Sequence, residues 1–571
     1  MKTTTRKVAV GFFYLAWSFY LSAEPLLAQT TNTLVNNPAA DTTTRDTQSE
    51  TALVLAGSNV IAAFNDSGSS VGTNKFTGFS RSTDGGASFT DLGTLPTDFF
   101  GDAGDPVLAR DNVSGTIYLS TLPNSGSRIQ VFRSFDNGAT FTVPVNGAPG
   151  FTGGDFLDKP WIAVDNFSGT GQGNVYLVFR NFFGGGVGSR PNGIYLTRSQ
   201  DGGATWGLMN GGFSIAPDSV QGAFVAVGPD HALYVFWYDG NISPRQIRMR
   251  KSTNFGVGFG PTITVATLVG TGLNGALGLN GGFRTNSFPQ AAVHPVNGNI
   301  YVVYNDCTAN PCTMTGADRG NIYFRQSTDG GSTWSAAVKL NDDNTTRDQW
   351  QPAFAVTPDG SHLFVGWYDR RLDSTNSLIN TFGVVGTVSG STVTFGSNFR
   401  ITTQSFPVVV NQDTSVFPDY MGDYDMAVAD NSFFYYTWGD NRDSNSFHAN
   451  QPDVRFKKIS IPVPFTFTDD PLTAQVTPVK AVHVTELRQD IDTLRSRNGL
   501  GAFTYTDPTL TVGATQVKTA HITELRTALN AVYDAQGKTQ PTYTDPTITA
   551  GQTAIKKAHI EEIRSSVKAV E

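Results

Sequence analysis

One short motif recurs through the first 460 residues and constrains the fold more than any other feature of the chain. It reads Ser-x-Asp-x-Gly-x-x-Trp/Phe, and a decayed copy at 252–259 carries Asn254 in place of the aspartate. The aspartate can accept hydrogen bonds from its own tight turn, the glycine supplies a positive φ, and the aromatic residue starts the next strand. A turn repeated in this way predicts a repeat architecture. The clear copies contain Asp84, Asp136, Asp201 and Asp329.

Each motif follows a pair of strand-like segments, which allows the repeats to be counted. Residues 161–165 and 174–180 form one pair, and residues 224–227 and 233–239 form another. Alternating apolar residues between turns predict antiparallel strands, and seven such units can close on themselves without leaving a long free sheet edge. The first strands of the seven units begin near Thr51, Pro106, Pro160, Gly222, Pro289, Pro352 and Asp425.

The motif is similar to the Asp box, or BNR repeat, of sialidase-superfamily β-propellers. This resemblance covers most of residues 45–460 and implies an all-β Asp-box β-propeller. The count of strand pairs predicts a seven-bladed propeller; six blades, the number typical of sialidases, is the alternative. We expect a small α-helical repeat domain after the propeller. The predicted organisation is a signal peptide at 1–28, an N-terminal extension at 29–44, the propeller at 45–460, a linker at 461–466 and a helical repeat module at 467–571.

The ends of the chain and its charge bear on location and partners. Lys2, Arg6 and Lys7 precede an apolar run and the sequence Leu-Leu-Ala at 26–28, which is typical of a secretory signal peptide, with a membrane anchor as the alternative. We therefore predict a secreted, extracellular protein with no membrane span in the mature chain, and a monomer. The net charge of −8 and the absence of a basic stripe disfavour nucleic acid as a partner.

The two cysteines, Cys307 and Cys312, fall within one predicted loop. In an exported protein this spacing favours a disulfide that pins the loop. A metal site is disfavoured because no histidine lies nearby in the sequence.

A second repeat, with a period of 38 residues, occupies the C-terminal region. It resembles a repeat found at the ends of large exported bacterial proteins. Each copy contains a His-x-x-Glu pair at i and i+3, which could hold a metal jointly or serve as helix-end hydrogen-bonding groups; we favour the structural role. The histidines are His483, His521 and His559, and the predicted N-caps are Thr477, Thr515 and Thr553.

The resemblance to sialidases implies a mechanism that can be compared with this sequence. In that family three arginines clamp the substrate carboxylate, a tyrosine activated by a glutamate is the nucleophile, and an aspartate is the acid/base. Here no Arg-Ile-Pro-like segment precedes the first Asp box, and Glu50 is the only glutamate within the predicted propeller. These departures disfavour the family's Tyr/Glu mechanism and leave open whether the protein is an enzyme.

Polar and aromatic residues recur at the strand ends on the face opposite the Asp boxes, around the predicted central channel. Capping of the blades would explain them, but carboxylates, guanidinium groups and aromatic rings are also what a sugar site uses. The candidate catalytic residues are Asp369, Arg371, Asp440, Arg442, Tyr420 and Tyr424. The candidate ligand-binding residues are Asp239, Asp306, Arg180, Trp237, Trp367 and Trp438.

Three functions follow as hypotheses. The preferred one is recognition of glycans, or of cell-surface and extracellular proteins, through the rim of the channel. The alternatives are a glycoside hydrolase of exo-sialidase-like type with a rearranged site, in which two aspartates act as acid and base, and a structural scaffold. No cofactor is required, although the aspartate groups 419/423/425 and 102/105 have the oxygen ligands that Ca²⁺ prefers.

Overall fold

The computed structural model describes residues 31–208, 212–461, 465–498 and 500–571. The predicted signal peptide at 1–28 lies outside the described residues, as do residues 462–464 of the predicted linker. The predicted export of the protein therefore stays a prediction.

The described chain forms seven antiparallel sheets followed by three helices, which confirms an all-β propeller of seven blades rather than six. The first blade contains Gln48–Ala56, Asn59–Asp66, Thr77–Ser82 and Thr90–Thr94. The second contains Val107–Arg110, Ile117–Thr121, Gln130–Ser134 and Val145–Asn146. The third contains Phe156–Val164, Val175–Phe182, Gly193–Ser199 and Phe213–Pro217. The fourth contains Val220–Val227, Leu233–Asp239, Gln246–Ser252 and Ile263–Thr267.

The remaining three blades follow in the same order. The fifth contains Gln290–Val293, Ile300–Asp306, Asn321–Ser327 and Val338–Lys339. The sixth contains Gln349–Val356, His362–Asp369, Asn380–Ser389 and Thr392–Phe395, with Phe399–Arg400 paired to its third strand. The seventh contains Ala427–Ala429, Phe433–Asp443, Gln451–Ser460 and Thr33–Leu34.

The last of these strands comes from the other end of the propeller sequence and closes the ring. Thr33–Leu34 pairs antiparallel with Gln451–Ser460, and the Val35 N–H donates to the Val454 carbonyl at 2.9 Å. The Asn36 side chain adds a hydrogen bond to Asp453 at 2.7 Å. The outer edge of the seventh blade is thereby covered, which removes a free edge from the sheet.

The hydrophobic core lies between neighbouring blades. Trp161 of the third blade packs on Phe224 of the fourth, with ring centroids 4.4 Å apart, and on Tyr424, which precedes the seventh, at 5.7 Å. Burying large aromatic side chains in this way contributes roughly 1.5–3 kcal/mol each and fixes the angle between sheets.

The Asp-box turns adopt a self-contained hydrogen-bonding geometry. In the copy at 327–334, Asp329 Oδ1 accepts from the Thr333 N–H at 2.9 Å and from the Ser327 hydroxyl at 2.8 Å, and Asp329 Oδ2 accepts from the Thr333 hydroxyl at 2.6 Å. The hydrogen bonds from Thr333 and Ser327 lower the pKa of Asp329 to about 2. The decayed copy keeps the turn, because Asn254 Oδ1 accepts from the Gly258 N–H at 2.8 Å.

Three helices follow the propeller: Ala481–Arg497 (α1), Thr519–Ala535 (α2) and Lys557–Lys568 (α3). An arginine from each helix binds backbone carbonyl groups of another repeat's loop, and the third returns to the first loop, so the three repeats form a closed ring. The donors are Arg488 to Thr506 and Asp507, Arg526 to Thr544 and Asp545, and Arg564 to Thr468 and Asp469.

The predicted N-caps of these helices are wrong. Thr477 accepts a hydrogen bond from the Thr473 N–H at 2.9 Å and so closes the preceding turn, and α1 begins only after Lys480. The buried His483 takes over the capping role: Nδ1 accepts from the Lys480 N–H at 3.2 Å, and Nε2 lies 2.9 Å from Asp469. The other two repeats share this arrangement, so each histidine serves a structural purpose.

The helical module contacts the propeller on its sixth blade, where the Ser397 hydroxyl donates to the Ala569 carbonyl at 3.0 Å. Lys538 also lies 3.5 Å from Asp342. Among the helices that the structure describes, none combines the length and apolarity needed to cross a membrane.

Replacing Asp329 tests whether the turn needs a negative charge or only an acceptor. Asp329→Ala removes every hydrogen bond to this side chain and should lower the free energy of unfolding by about 1 kcal/mol, as loss of a helix cap does. Asp329→Asn keeps one acceptor oxygen, as Asn254 does naturally, and should cost less than half as much. Thermal unfolding of the two variants measures the difference; equal losses would show that charge, not hydrogen bonding, stabilises the turn.

Candidate binding site at the channel mouth

The side chains at the axis of the propeller are positioned by an unusual backbone conformation. Glu50, Asp105, Lys159 and Gln351 lie at the start of the inner strands of four blades, with φ of +51°, +54°, +50° and +54°. Register shifts between Ser49 and Ala52, Asp158 and Trp161, and Trp350 and Ala353 mark bulges at three of these positions. Non-glycine residues with positive φ are strained by about 1–3 kcal/mol, and such strain concentrates at functional sites.

Three of these residues meet in a buried ion cluster. The Lys159 Nζ atom lies 2.5 Å from Glu50, 3.2 Å from Asp105 and 2.8 Å from Asp423. It also lies 5.3 Å from the centre of the Tyr424 ring. An ammonium group taken out of water needs such partners, since the desolvation of an isolated charge costs several kcal/mol.

Two long inter-blade loops, residues 268–289 and 401–426, complete the cluster. Arg284 from the first loop donates to both oxygens of Asp423, at 3.1 and 2.7 Å, and Asn286 donates to the same carboxylate at 2.8 Å. The Arg284 N–H also donates to the Asp419 carbonyl at 2.7 Å, which ties the two loops together. The guanidinium lies 4.6 Å from the centre of the Tyr420 ring.

Burial and neighbouring charges set the protonation of this cluster. Burial, followed by the Asp105 carboxylate, raises the pKa of Glu50 to about 7. Burial opposes the charge on Lys159, but Asp105, Asp423 and Glu50 together raise its pKa well above the ordinary value. Burial and the Glu50 carboxylate raise the pKa of Tyr420 and Tyr424 well above the usual range, so both phenols stay protonated at neutral pH.

Above the cluster is an open cavity of about 550 Å³. Lys159, Arg284, Asp423 and Tyr420 form part of its lining. A second cavity of only 30 Å³ shares Lys159 and Asp423 with it. We call the larger space the axial cavity.

The wall of the axial cavity combines polar groups with exposed rings. Phe417 is 68% exposed and Phe156 is 53% exposed. Asp158 lines the same cavity and accepts a hydrogen bond from the Gln221 amide at 2.7 Å. Burial raises the pKa of Asp158, so this carboxyl takes up a proton more readily than an ordinary aspartate.

The sequence-predicted catalytic residues fall into two groups. Tyr420 and Tyr424 lie at the axial site, where the Tyr424 hydroxyl donates to the Pro106 carbonyl at 2.9 Å. The two Asp/Arg pairs lie within their own blades. Arg371 binds Asp369 at 2.8 Å and Asp342 at 2.8 Å.

The second pair repeats this arrangement, since Arg442 lies 2.6 Å from Asp440. In both blades a tryptophan indole donates to the same aspartate, at 2.8 Å in the sixth blade and 3.0 Å in the seventh. In each blade the aspartate therefore accepts hydrogen bonds from the arginine and the tryptophan of its own blade. Neither Arg371 nor Arg442 lines the cavity that contains Tyr420.

The predicted ligand-binding residues are similarly dispersed. Trp237, Trp367 and Trp438 are fully buried in their blades and present no ring to a ligand. Asp306 accepts from the N–H groups of Val269, Gly270 and Cys307 and so anchors a loop that begins beside the disulfide between Cys307 and Cys312.

The two remaining predicted ligand-binding residues, Asp239 and Arg180, have different surroundings. Asp239 lies 3.3 Å from Arg248 of its own blade and accepts from the Asn241 N–H at 2.9 Å. Arg180 instead lines a cavity beside the axial one.

Sequence reasoning missed Glu50, Lys159 and Arg284. Part of the signal is visible in the sequence, since Asp105, Lys159 and Gln351 each stand immediately before the proline that opens an inner strand. Arg284 has no such signal, because it belongs to a long loop. Across the described ranges, no group of three or more histidine, cysteine, aspartate or glutamate side chains is arranged to hold a metal ion.

No protein-family model matches the chain, and comparison with curated proteins finds no match. Among solved structures the chain is similar to a Hadza microbial sialidase, Hz136, with 17% identity over 60% of this chain and 66% of that one, at a TM-score of 0.40. It is also similar to the alpha-L-arabinofuranosidase Arb93A of Fusarium graminearum, with 14% identity over 62% of this chain and 97% of that one, at a TM-score of 0.41. The phage phi92 endosialidase shows 12% identity over 79% of this chain and 72% of that one, at a TM-score of 0.38. Sequence identities this low and TM-scores below 0.5 do not extend the activity of any of these proteins to this chain.

The raised pKa of Glu50 predicts a pH-dependent stability. The folded state holds the Glu50 proton up to about pH 7 whereas the unfolded chain releases it near its ordinary value of 4.5, so this group makes stability fall between those values as pH rises. Glu50→Gln should therefore remove a decline of roughly 2–3 kcal/mol between pH 4.5 and 7. The measurement is the difference in unfolding temperature between wild type and variant across this range; a difference independent of pH would contradict the assignment.

Proposed function

We propose that the protein is a glycan-binding propeller and that the axial cavity holds a sugar residue without a negative charge. The observation that carries the proposal is the combination in one cavity of exposed aromatic rings, Phe417 and Phe156, with cations that are already paired with carboxylates of the protein. Sugar hydroxyls need paired donors and acceptors, and the apolar face of a sugar ring needs an aromatic surface.

The charge balance of the floor argues for a neutral ring. Lys159 and Arg284 supply two positive charges, and both are already paired with Glu50, Asp105 and Asp423. A carboxylate placed there would compete with the protein's own carboxylates for these cations. A sugar hydroxyl group is not repelled in this way, and it can donate a hydrogen bond to carboxylate oxygens of the cavity wall.

The aromatic residues explain why a sugar is favoured over a polar protein loop. Single exposed phenylalanines are common on protein surfaces, but two that border one polar cavity of this size are typical of a binding site. Tyr420 adds a third ring, held in place by the Arg284 guanidinium.

Glycoside hydrolysis is a second candidate, which one observation favours. Asp158 has a raised pKa, as a general acid requires, and lines the same cavity as the Asp105 and Asp423 carboxylates. The protonated phenols of Tyr420 and Tyr424 weigh against a tyrosine nucleophile.

Glycan binding should be tested by isothermal titration with neutral oligosaccharides chosen from an array. Phe417→Ala should weaken binding by about tenfold, which corresponds to the loss of about 1.4 kcal/mol of stacking and burial. Phe135→Ala is the matched control, because Phe135 is 65% exposed in an Asp-box turn and should leave the affinity unchanged.

Equal effects of the two substitutions, or a failure of every glycan to bind, would refute the proposal. The same oligosaccharides should be assayed for release of reducing ends. Turnover by the wild type that is lost in Asp158→Asn would establish the hydrolase instead.

A further inference from the structure

A second cavity adjoins the axial one and differs from it in charge. It has a volume of about 480 Å³ and lies beside the third and fourth blades, and Gln221 and Asn274 line both cavities. We call it the lateral cavity. A ligand bound in the axial cavity can therefore extend into the lateral cavity past these two amides.

The charge of the lateral cavity is positive. Its lining contains Arg180 and Arg245 and, among the described residues, no aspartate or glutamate. Arg245 is fixed by carbonyl groups, those of Gly240 and of Ile242, the latter at 2.9 Å, and these acceptors do not neutralise its charge.

Arg180 is the decisive residue. It is 4% exposed, yet the Nε and Nη1 atoms of its guanidinium have no hydrogen-bond partner among the described residues. The centre of the Phe182 ring lies 4.5 Å from the guanidinium carbon. Asp158 and Asp218 lie close enough to act electrostatically on Arg180, but burial outweighs them and lowers its pKa, and Asp158 accepts its hydrogen bond from Gln221.

A buried cation with free donors is costly unless something binds it. Leaving a buried charged donor unsatisfied costs more than the 1–3 kcal/mol of a neutral group, and guanidinium groups pair most favourably with planar oxyanions. Arg180 lines the lateral cavity, which gives an oxyanion a route to its guanidinium.

We propose that the lateral cavity binds an oxyanion substituent, a carboxylate or a sulfate, on the sugar residue next to the one in the axial cavity. The inference rests on the proposed function and adds a substrate class: acidic oligosaccharides in which a neutral residue adjoins a charged one. The anion pairs with the Arg180 guanidinium and lies in the field of Arg245, while the neutral residue packs against Phe417 and Phe156.

The test compares three oligosaccharides with the same backbone, one neutral, one with a uronate and one with a sulfated residue, by isothermal titration. The wild type should bind at least one acidic ligand about tenfold or more tightly than the neutral one, and raising the salt concentration should reduce that preference only partly because the site is buried. Arg180→Gln should abolish the preference and leave affinity for the neutral ligand unchanged. Arg347→Gln is the control, since this half-exposed arginine lines neither cavity.

The outcomes separate the two proposals. Equal affinity for the three ligands, or an equal loss for all of them in Arg180→Gln, overturns the oxyanion subsite while glycan binding stands. If no oligosaccharide binds, the proposed function fails, and titration with free glucuronate and inorganic sulfate decides the subsite alone. Binding of either ion that is lost in Arg180→Gln then supports it, and no binding overturns it. Thermal unfolding of Arg180→Gln confirms that the variant is folded.

Discussion

The ion cluster around Lys159 is the interaction on which the functional face of this protein depends. One ammonium group joins Glu50 of the first blade, Asp105 of the second and Asp423 of the loop before the seventh, so it connects three parts of the ring that are far apart in sequence. Removing one member of such a buried network leaves uncompensated charge and costs several kcal/mol. Members of the cluster line the axial cavity, where both cations are already paired with carboxylates of the protein.

The two cavities at the mouth follow from how this network distributes charge. Over the cluster, the protein's own carboxylates occupy the cations, which leaves hydrogen-bonding groups and aromatic rings for a ligand. On the next strand of the blade that carries Lys159, Arg180 has no such ion-pair partner among the described residues. The axial and lateral cavities therefore adjoin each other and differ in charge, and both are lined by strand ends and inter-blade loops. The Asp boxes have a different role: the oxygen atoms of the Asp329 carboxylate accept hydrogen bonds from residues of their own turn.

The parts of the fold that depend on local hydrogen bonds could be predicted from the sequence. An Asp-box turn is complete within eight residues, and a strand pair is visible in alternation and turn residues, so the number of blades follows from counting. The sequence also shows that the sixth and seventh blades share a Trp/Asp/Arg pattern. It does not show whether the arginine of that pattern faces a ligand or, as Arg371 does, pairs with its own aspartate, Asp369. The axial cluster was not predictable in the same way, because Lys159 and Glu50 are 109 residues apart and meet only after the ring closes. Arg284 reaches the site on a loop whose path the sequence does not determine.

A crystal structure of the protein with a bound oligosaccharide tests the central claim most directly. The account predicts density for a neutral sugar residue packed against Phe417 and Phe156, directly above a Lys159 cluster that is unchanged from the unliganded state. A sugar bound instead on the Asp-box face or on the helical module, with the axial cavity empty, would contradict it.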